Sequence, residues 1–469
     1  MPFINLSLSG IGALLLQLFV IGTFIYLFIK HEKTPFNFTM LLIWYPRVFE
    51  YYGKNAQNIY KIIVLAFVLL VCIMYRVWRT YQRQDLWFVL AFVFFTLQFL
   101  LSCSFYSNDS FTIIFSQLSR YVELFLLYFI MKYVVYLSDN KEKTLKLFYD
   151  IILMNIIISI VKFIIYRIQI EGLVGTLCVQ GGALGTSLPI VGFLVLWLYR
   201  KGQFSIKDWI FVIGLLIIGF TSAKRAIIFV LPIVVMLFMT YAKGIQINKY
   251  LGLGILAVPI LFYFGVRLTP TLNPDNKVWG TFDWEFAFDY AEHYQFGEEG
   301  MEGQTEILQQ EQQINYAAGA YTVGSEKIEA EGRGGATIAL LKLIFGPQKL
   351  TEQDLWGIGF KNMYGVDYDE FDKLPLTIHI NHKGSATGLF QTYVTTGVLG
   401  ILVTIFFCFL PFFFIKNMRL RIILLGIVFW EYFLYTGMIF RTPALMATIL
   451  FFIECINYYI NMQTKYSRL

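Results

Sequence analysis

The sequence predicts an all-α, multi-pass membrane protein with about twelve transmembrane helices and one large outward-facing loop between the ninth and the tenth helix. Hydrophobic residues make up 57% of the chain and charged residues only 14%, a composition that soluble globular domains do not have. Apolar stretches of roughly 20 residues, the length that crosses a bilayer, recur along most of the chain. One long polar segment, residues 267–385, interrupts them.

The apolar stretches place nine spans before the polar segment and three after it. Residues 1–266 are therefore predicted to hold helices 1–9, residues 267–385 the loop, and residues 386–469 helices 10–12. The predicted spans are 9–29, 59–77, 86–105, 111–137, 147–168, 183–199, 208–222, 225–242, 249–266, 386–414, 420–438 and 443–461.

The basic residues orient these spans. With a cytoplasmic N-terminus, inside loops carry most of the positive charge, as the positive-inside rule requires. The inside residues are Arg76, Arg79, Arg83, Lys141, Lys143, Lys146, Arg200, Lys201, Lys207, Lys243, Lys249, Lys416, Arg419, Arg421, Lys465 and Arg468. The connection between the first two spans does not follow this rule, since it would place Lys61 and four other cations outside. Its apolar patch, residues 38–45, is expected in the membrane interface. The later loops outnumber this connection, so both termini are predicted to be cytoplasmic.

The loop at 267–385 is acidic, whereas the rest of the chain is basic. It contains 19 Asp and Glu against 9 Lys and Arg, a net charge of −10, which leaves +16 for the remaining residues. The overall charge of +6 therefore reflects cytoplasmic anchoring rather than binding to nucleic acid. The sequence predicts a membrane protein whose loop faces outward, which in a bacterium means the periplasm or the cell exterior.

Several cations lie at the outer ends of predicted spans, where the positive-inside rule does not explain them. They are Lys162, Arg167, Lys224, Arg225, Arg267 and Arg441. Guanidinium groups bind phosphate oxygens through paired, charge-assisted hydrogen bonds. These residues are therefore candidates for a diphosphate site, with contact to anionic lipid headgroups as the alternative.

Four charged residues fall deep inside predicted spans, namely Arg120, Glu123, Glu431 and Glu454. Charges at that depth are costly and usually face the interior with a partner. Arg120 and Glu123 are three residues apart on one helix and are expected to interact. A buried ion pair, a substrate role and proton-coupled transport are all compatible with this set.

The loop contains two further candidates near the point where the chain re-enters the membrane. Arg333 is flanked by Gly332, Gly334 and Gly335, which let a bulky ligand approach closely, and the apolar run 336–345 predicts a helix on the membrane or against the bundle. His379 and His382 follow, and a histidine can accept a proton from a hydroxyl at neutral pH. The five cysteines and four histidines lack metal-ligand spacing, so neither a metal nor another cofactor is predicted.

The order of these motifs resembles the bacterial O-antigen polymerase (Wzy) and O-antigen ligase (WaaL) superfamily over roughly residues 215–415. The matching elements are SAKRA at 222–226, EGR at 331–333, WGIGF at 356–360, INHK at 380–383 and GVLG at 397–400. Two departures stand out: His382 precedes Gly397 by fifteen residues rather than about eleven, and the pair reads Asn-His instead of His-Asn. The choices between His382 and His379, and between Arg225 and Lys224, therefore stay open.

The resemblance implies a GT-C-like bundle that transfers glycans between undecaprenyl-diphosphate-linked oligosaccharides on the outer leaflet. It assigns catalysis to His382 or His379 with Arg333 and Arg225. Diphosphate binding would involve Lys224, Arg225, Arg333, Arg441, Arg167 and Lys162. The implied partners are a lipid-linked donor, a lipid-linked acceptor and membrane lipids, together with chain-length regulator and flippase proteins. An O-antigen ligase that acts on lipid A core, and a polysaccharide or proton-coupled transporter or flippase, are the alternatives.

Overall fold

The protein is mostly helical in a computed structural model, as the sequence predicts. The described residues are 10–46, 54–138, 140–166, 174–177, 184–222, 226–243, 259–260, 262–268, 272–275, 277, 279–289, 328–330, 332–346, 349–365, 373–380 and 386–466. Within these residues, five helices are long and apolar enough to cross a membrane: Asp85–Tyr106, Phe111–Tyr136, Lys141–Ile165, Gly388–Phe413 and Pro443–Asn461. The total of twelve spans stays a prediction, and most of the predicted ninth span lies outside the described residues.

The first half of the chain consists of helices that follow one another closely. They are α1 (Gly10–Lys30), α2 (Pro35–Trp44), α3 (Lys54–Tyr75), α4 (Asp85–Leu100), α5 (Phe111–Tyr136), α6 (Lys141–Tyr166), α7 (Leu184–Tyr199), α8 (Ile206–Thr221) and α9 (Ala226–Lys243). A π-helical segment, Leu101–Tyr106, continues α4. Short helical stretches also occur at 262–268 and 284–289.

Most of the apolar patch at residues 38–45, which is predicted to lie in the membrane interface, forms the buried helix α2. The helix begins at Pro35, with Thr34 as the N-cap residue, and a proline at the first position of a helix needs no backbone donor. Met40, Leu41 and Trp44 are fully buried, and α2 packs against α1, α3, α6 and the last helix of the chain. The apolar run is therefore part of the protein core, packed on its two neighbours in the chain as well as on two more distant helices.

The second half contains the described part of the polar loop and the last helices. Its elements are β1 (Ile328–Ala330), α10 (Gly332–Phe345), α11 (Glu352–Trp356), α12 (Gly359–Gly365), β2 (Ile378–Ile380), α13 (Gly388–Phe413), α14 (Met418–Phe429), α15 (Met438–Arg441) and α16 (Pro443–Tyr466). A π-helical segment, Trp430–Leu434, continues α14. The predicted helix at 336–345 is confirmed as part of α10, which packs against the bundle.

The core lies between α16 and the helices around it. Helix α16 packs on α5 and α7, and α13 packs on α4. The membrane-length window of α16 is the most buried of the five, because small residues such as Ala444 and Ala447 let its neighbours approach closely. The charged residues that follow are therefore fixed by a well-packed helical frame.

Candidate functional site

Two motif segments of the loop meet in a short parallel sheet. Strand β1 pairs with β2 in the register Ile328–Ile378, Glu329–His379 and Ala330–Ile380. Paired strands lie about 4.8 Å apart, so the pairing joins parts of the chain that are separated by about 50 residues. Parallel strands end at the same edge of a sheet, so the start of α10, with Arg333, begins at the edge where the chain leaves His379.

Arg333 is held at the first turn of α10 by aromatic side chains of the bundle. Gly332, with φ of 64°, makes the turn into the helix, and the Arg333 side chain is buried. Its guanidinium carbon lies 4.7 Å from the centre of the Tyr435 ring. Tyr435 stacks in turn on Trp430, with ring centres 5.0 Å apart. A guanidinium over an aromatic face is oriented by cation–π attraction, so Arg333 is fixed in direction before any ligand binds.

A buried carboxylate lies beneath this stack. Glu431 is in the π-helical segment and is fully buried, and the Ser187 hydroxyl donates to its Oε1 at 2.9 Å. Glu431 interacts electrostatically with the positive charge of Arg333. Thr186, next to Ser187, lies 3.2 Å from the Tyr435 hydroxyl. The start of α7 therefore supports both the ring and the carboxylate that surround Arg333, and π-helical segments often occur at functional sites.

The loop is attached to the bundle through the WGIGF motif. The Asp109 carboxylate accepts hydrogen bonds from the backbone amides of Phe360 and Lys361, each at 2.8 Å. The Ile358 amide donates to the carbonyl of Val394 on α13 at 2.8 Å. Trp356 stacks on Tyr106, with ring centres 4.6 Å apart. The motif thus docks on the connection between α4 and α5 and on α13.

Asp354 joins three parts of the same region. It accepts from the Thr351 hydroxyl at 2.7 Å within a capping box, from the Thr377 hydroxyl at 2.6 Å, and from the Tyr393 hydroxyl on α13. Burial would raise the pKa of the Asp354 carboxyl, but the hydrogen bonds from Thr377, Tyr393 and Thr351 outweigh it and lower the pKa below its usual value. Thr377 immediately precedes β2, so Asp354 positions the strand that carries His379.

The predicted site residues divide into those that the structure describes and those outside it. Arg333, His379, Arg441 and Lys162 are described, whereas Arg225, Lys224, Arg167 and His382 lie outside the described residues. His379 is buried at the centre of β2. Arg441 donates to the side-chain oxygen of Gln391 in the first turn of α13.

Lys162 is placed differently from the other cations. It is fully buried, and its ammonium donates to the carbonyl of Gly175. Ser159 and Asn155, on the same face of α6, accept from the amides of Gly175 and Thr176, both at 2.8 Å. Lys162 thus helps to fix a non-helical segment to α6, because backbone groups inside a membrane need partners.

The sequence did not mark Tyr435, Trp430, Asp354 or Asp109 as part of this region. An aromatic residue or a lone aspartate in an apolar chain has many ordinary uses, and the partners of these residues are distant in sequence. Glu431 did carry a signal, because a glutamate inside a predicted span is costly. Among the described residues, no group of three or more His, Cys, Asp or Glu side chains has an arrangement that holds a metal ion.

The arrangement provides a buried guanidinium at a helix start, oriented by an aromatic face, and a histidine on the adjacent strand. Such a site suits an anionic, phosphate-bearing ligand. No known protein-family model matches this chain, and a search of curated proteins finds no match either.

Proposed function

We propose that this protein is a polysaccharide polymerase, an inverting glycosyltransferase that joins undecaprenyl-diphosphate-linked oligosaccharides at the outer leaflet of the bacterial inner membrane. One observation carries the proposal. The parallel pairing of β1 with β2 brings the start of α10, with Gly332 and Arg333, to the same edge of the sheet as His379, and α10 packs on α13. Gly332 and Arg333 belong to the EGR element on which the resemblance to the O-antigen polymerase and ligase superfamily rests, and His379 directly precedes its INHK element.

The proposed reaction is a direct displacement at the anomeric carbon of the donor. The acceptor hydroxyl oxygen bonds to that carbon, the bond to the diphosphate oxygen breaks, and the hydroxyl proton passes to His382 or His379. Arg333, with Arg225 and Lys224, binds the diphosphate and stabilises the charge that develops on it. Because the leaving group departs as an anion, it needs no protonation by an acidic residue, and the anomeric configuration inverts.

The proposed substrates are large and partly membrane-embedded, which fits the place of the site. Arg333 lies where the polar loop meets α13 and α14. The lipid parts of donor and acceptor would stay in the bilayer while the sugars reach the loop. Aromatic rings offer flat faces for sugars, and chain-length regulator and flippase proteins are the expected protein partners.

Incubation of the purified protein with a lipid-linked repeat unit tests the proposal. A ladder of products on a gel is expected, and it should persist with a metal chelator. A single addition to lipid A core would indicate a ligase, and uptake into vesicles without any product would indicate a transporter. Loss of the ladder on chelation, with recovery on adding a divalent ion, would contradict the metal-independent mechanism.

Substitution of Arg333 tests the residue at the centre of the site. Arg333→Ala should lower the rate by at least about 100-fold, the usual effect of removing one donor from a preorganised charge-stabilising site. Arg79→Ala, at an exposed position in the turn before α4, is the matched control and should remain active. His379→Ala and His382→Ala in the same assay identify the base. An active Arg333→Ala protein would refute the proposed role of Arg333.

A further inference from the structure

Three cations from different parts of the chain converge on one stretch of α5, residues 116–121. Lys61 of α3 donates to the Ser116 hydroxyl, and its charge interacts with that of Arg120. Arg120 and Arg441 both act on the Tyr121 hydroxyl. Lys61, Arg120 and Arg441 form what we call the Tyr121 cation cluster. All three side chains are partly exposed.

None of the three cations in the Tyr121 cation cluster forms an ion pair within 4.0 Å with a described residue. Ser116, Arg120 and Glu123 lie on one face of α5, and Glu123 is the carboxylate that acts on both Lys61 and Arg120. Arg120 makes no hydrogen bond and no ion pair within 4.0 Å to any described residue. Glu123 thus faces both Lys61 and Arg120, and Arg441 brings a third cation to the same stretch of α5. Charges that are unmatched inside a membrane are costly and usually functional.

The Tyr121 cation cluster lies beneath the polar loop. Arg120 is nine residues after Phe111, the first residue of α5, and so about 14 Å from that end at 1.5 Å per residue. One turn above it, the Gln117 amide donates to the Tyr364 hydroxyl of α12 at 3.3 Å. Arg441 links the cluster to α13 through Gln391. The cluster is therefore on the same side of the bundle as Arg333 and close to the same helix start.

We propose that the Tyr121 cation cluster is a second diphosphate site, which binds the headgroup of the second lipid-linked substrate while Arg333 binds the first. This inference rests on the proposed function. A polymerase joins two molecules that each carry a polyprenyl diphosphate, whereas transfer to lipid A core involves only one. The proposal also explains two cations in unexpected positions. Lys61 does not follow the positive-inside rule, and Arg120 lies deep within a membrane-spanning helix.

Native mass spectrometry of the purified protein with undecaprenyl diphosphate alone tests the second site. The wild-type protein is expected to bind two molecules. Arg120→Met and Lys61→Met should each weaken one of them by about tenfold or more, the effect of losing a charge-assisted hydrogen bond. Arg333→Met should weaken the other, and Arg79→Met should weaken neither. Arg120→Lys, which keeps the charge, should retain part of the binding. This variant keeps the test valid if Arg120→Met fails to fold.

The outcomes separate this proposal from the proposed function. Two sites that respond to different substitutions support the second site, even if no ladder is produced. A single site in the wild-type protein, or unchanged binding in both Arg120→Met and Lys61→Met, would overturn it. A competition experiment with phosphatidylglycerol at equal concentration tests whether the Arg120-dependent site is specific for diphosphate. Full displacement from the Arg120-dependent site would show a general anionic-lipid site and would also overturn the proposal.

Discussion

At the residue scale, the buried polar side chains divide by how far away their partners are in sequence. Arg333 was recognisable because glycines surround it in a short motif. Asp354 was not, because Thr377 and Tyr393 come 23 and 39 residues later, and no local pattern predicts that three hydroxyls converge on one carboxylate. Lys162 was predicted at the outer end of a span but is committed to the Gly175 carbonyl, a contact that depends on how a non-helical segment folds back.

Asp354→Asn should destabilise the attachment of β2 to α13. Asparagine keeps the size but loses one acceptor oxygen, and a buried unsatisfied hydroxyl costs about 1–3 kcal/mol. Thermal unfolding in detergent measures the effect, with the exposed Asp289→Asn as the control. The lowered pKa of Asp354 also predicts how stability depends on pH. The ionised carboxylate stabilises the folded state, and this stabilisation is fully present above the unfolded-state pKa of about 3.9. That contribution should be lost as the pH falls through the lower folded-state pKa. Equal effects of both substitutions at pH 7 would contradict this role.

At the element scale, helices were predictable and their junctions were not. Periodicity and length located the long spans, because a span must be apolar for about 20 residues. The docking of WGIGF on α13 depends instead on two backbones that touch. Gly357 and Gly397 have φ of 79° and 73°, and a Cβ on Gly397 would lie 2.2 Å from the Leu355 carbonyl oxygen. Sequence alone showed both glycines but not that they face each other.

Gly397→Ala should therefore loosen the loop from the bundle. The backbone of Gly397 (φ 73°, ψ −173°) is in a region that essentially only glycine adopts, which costs another residue about 1–3 kcal/mol. The contact with the Leu355 backbone cannot relax without moving α11. Limited proteolysis of the loop and the melting temperature measure the change. Gly426→Ala, in α14, meets nothing within 4 Å and should be neutral or slightly stabilising, since alanine is the better helix former. Loop cleavage that is no faster in Gly397→Ala than in Gly426→Ala would show that the close contact is not needed.

At the scale of the whole molecule, charge decides which side of the membrane the site faces. The acidic loop and the basic remainder predict an outward-facing loop, and both proposed diphosphate sites need that orientation because they lie at the loop's side of the bundle. The location of the two sites on the bundle follows from side-chain packing. The side of the membrane that they face is predicted separately, from the distribution of charge. The location is fixed by the described contacts of Asp109, Gln117 and Val394, which tie the loop to α4, α5 and α13.

Cysteine labelling in intact cells tests this orientation directly. In a background without the five native cysteines, Lys277→Cys in the loop and Lys207→Cys at the start of α8 both place a thiol at an exposed position. A membrane-impermeant maleimide should label Lys277→Cys in intact cells and Lys207→Cys only after permeabilisation, because the first is predicted outside and the second inside. The reverse pattern would place Arg333 and the Tyr121 cation cluster at the cytoplasmic face. Neither could then meet a substrate on the outer leaflet, whatever its affinity for diphosphate.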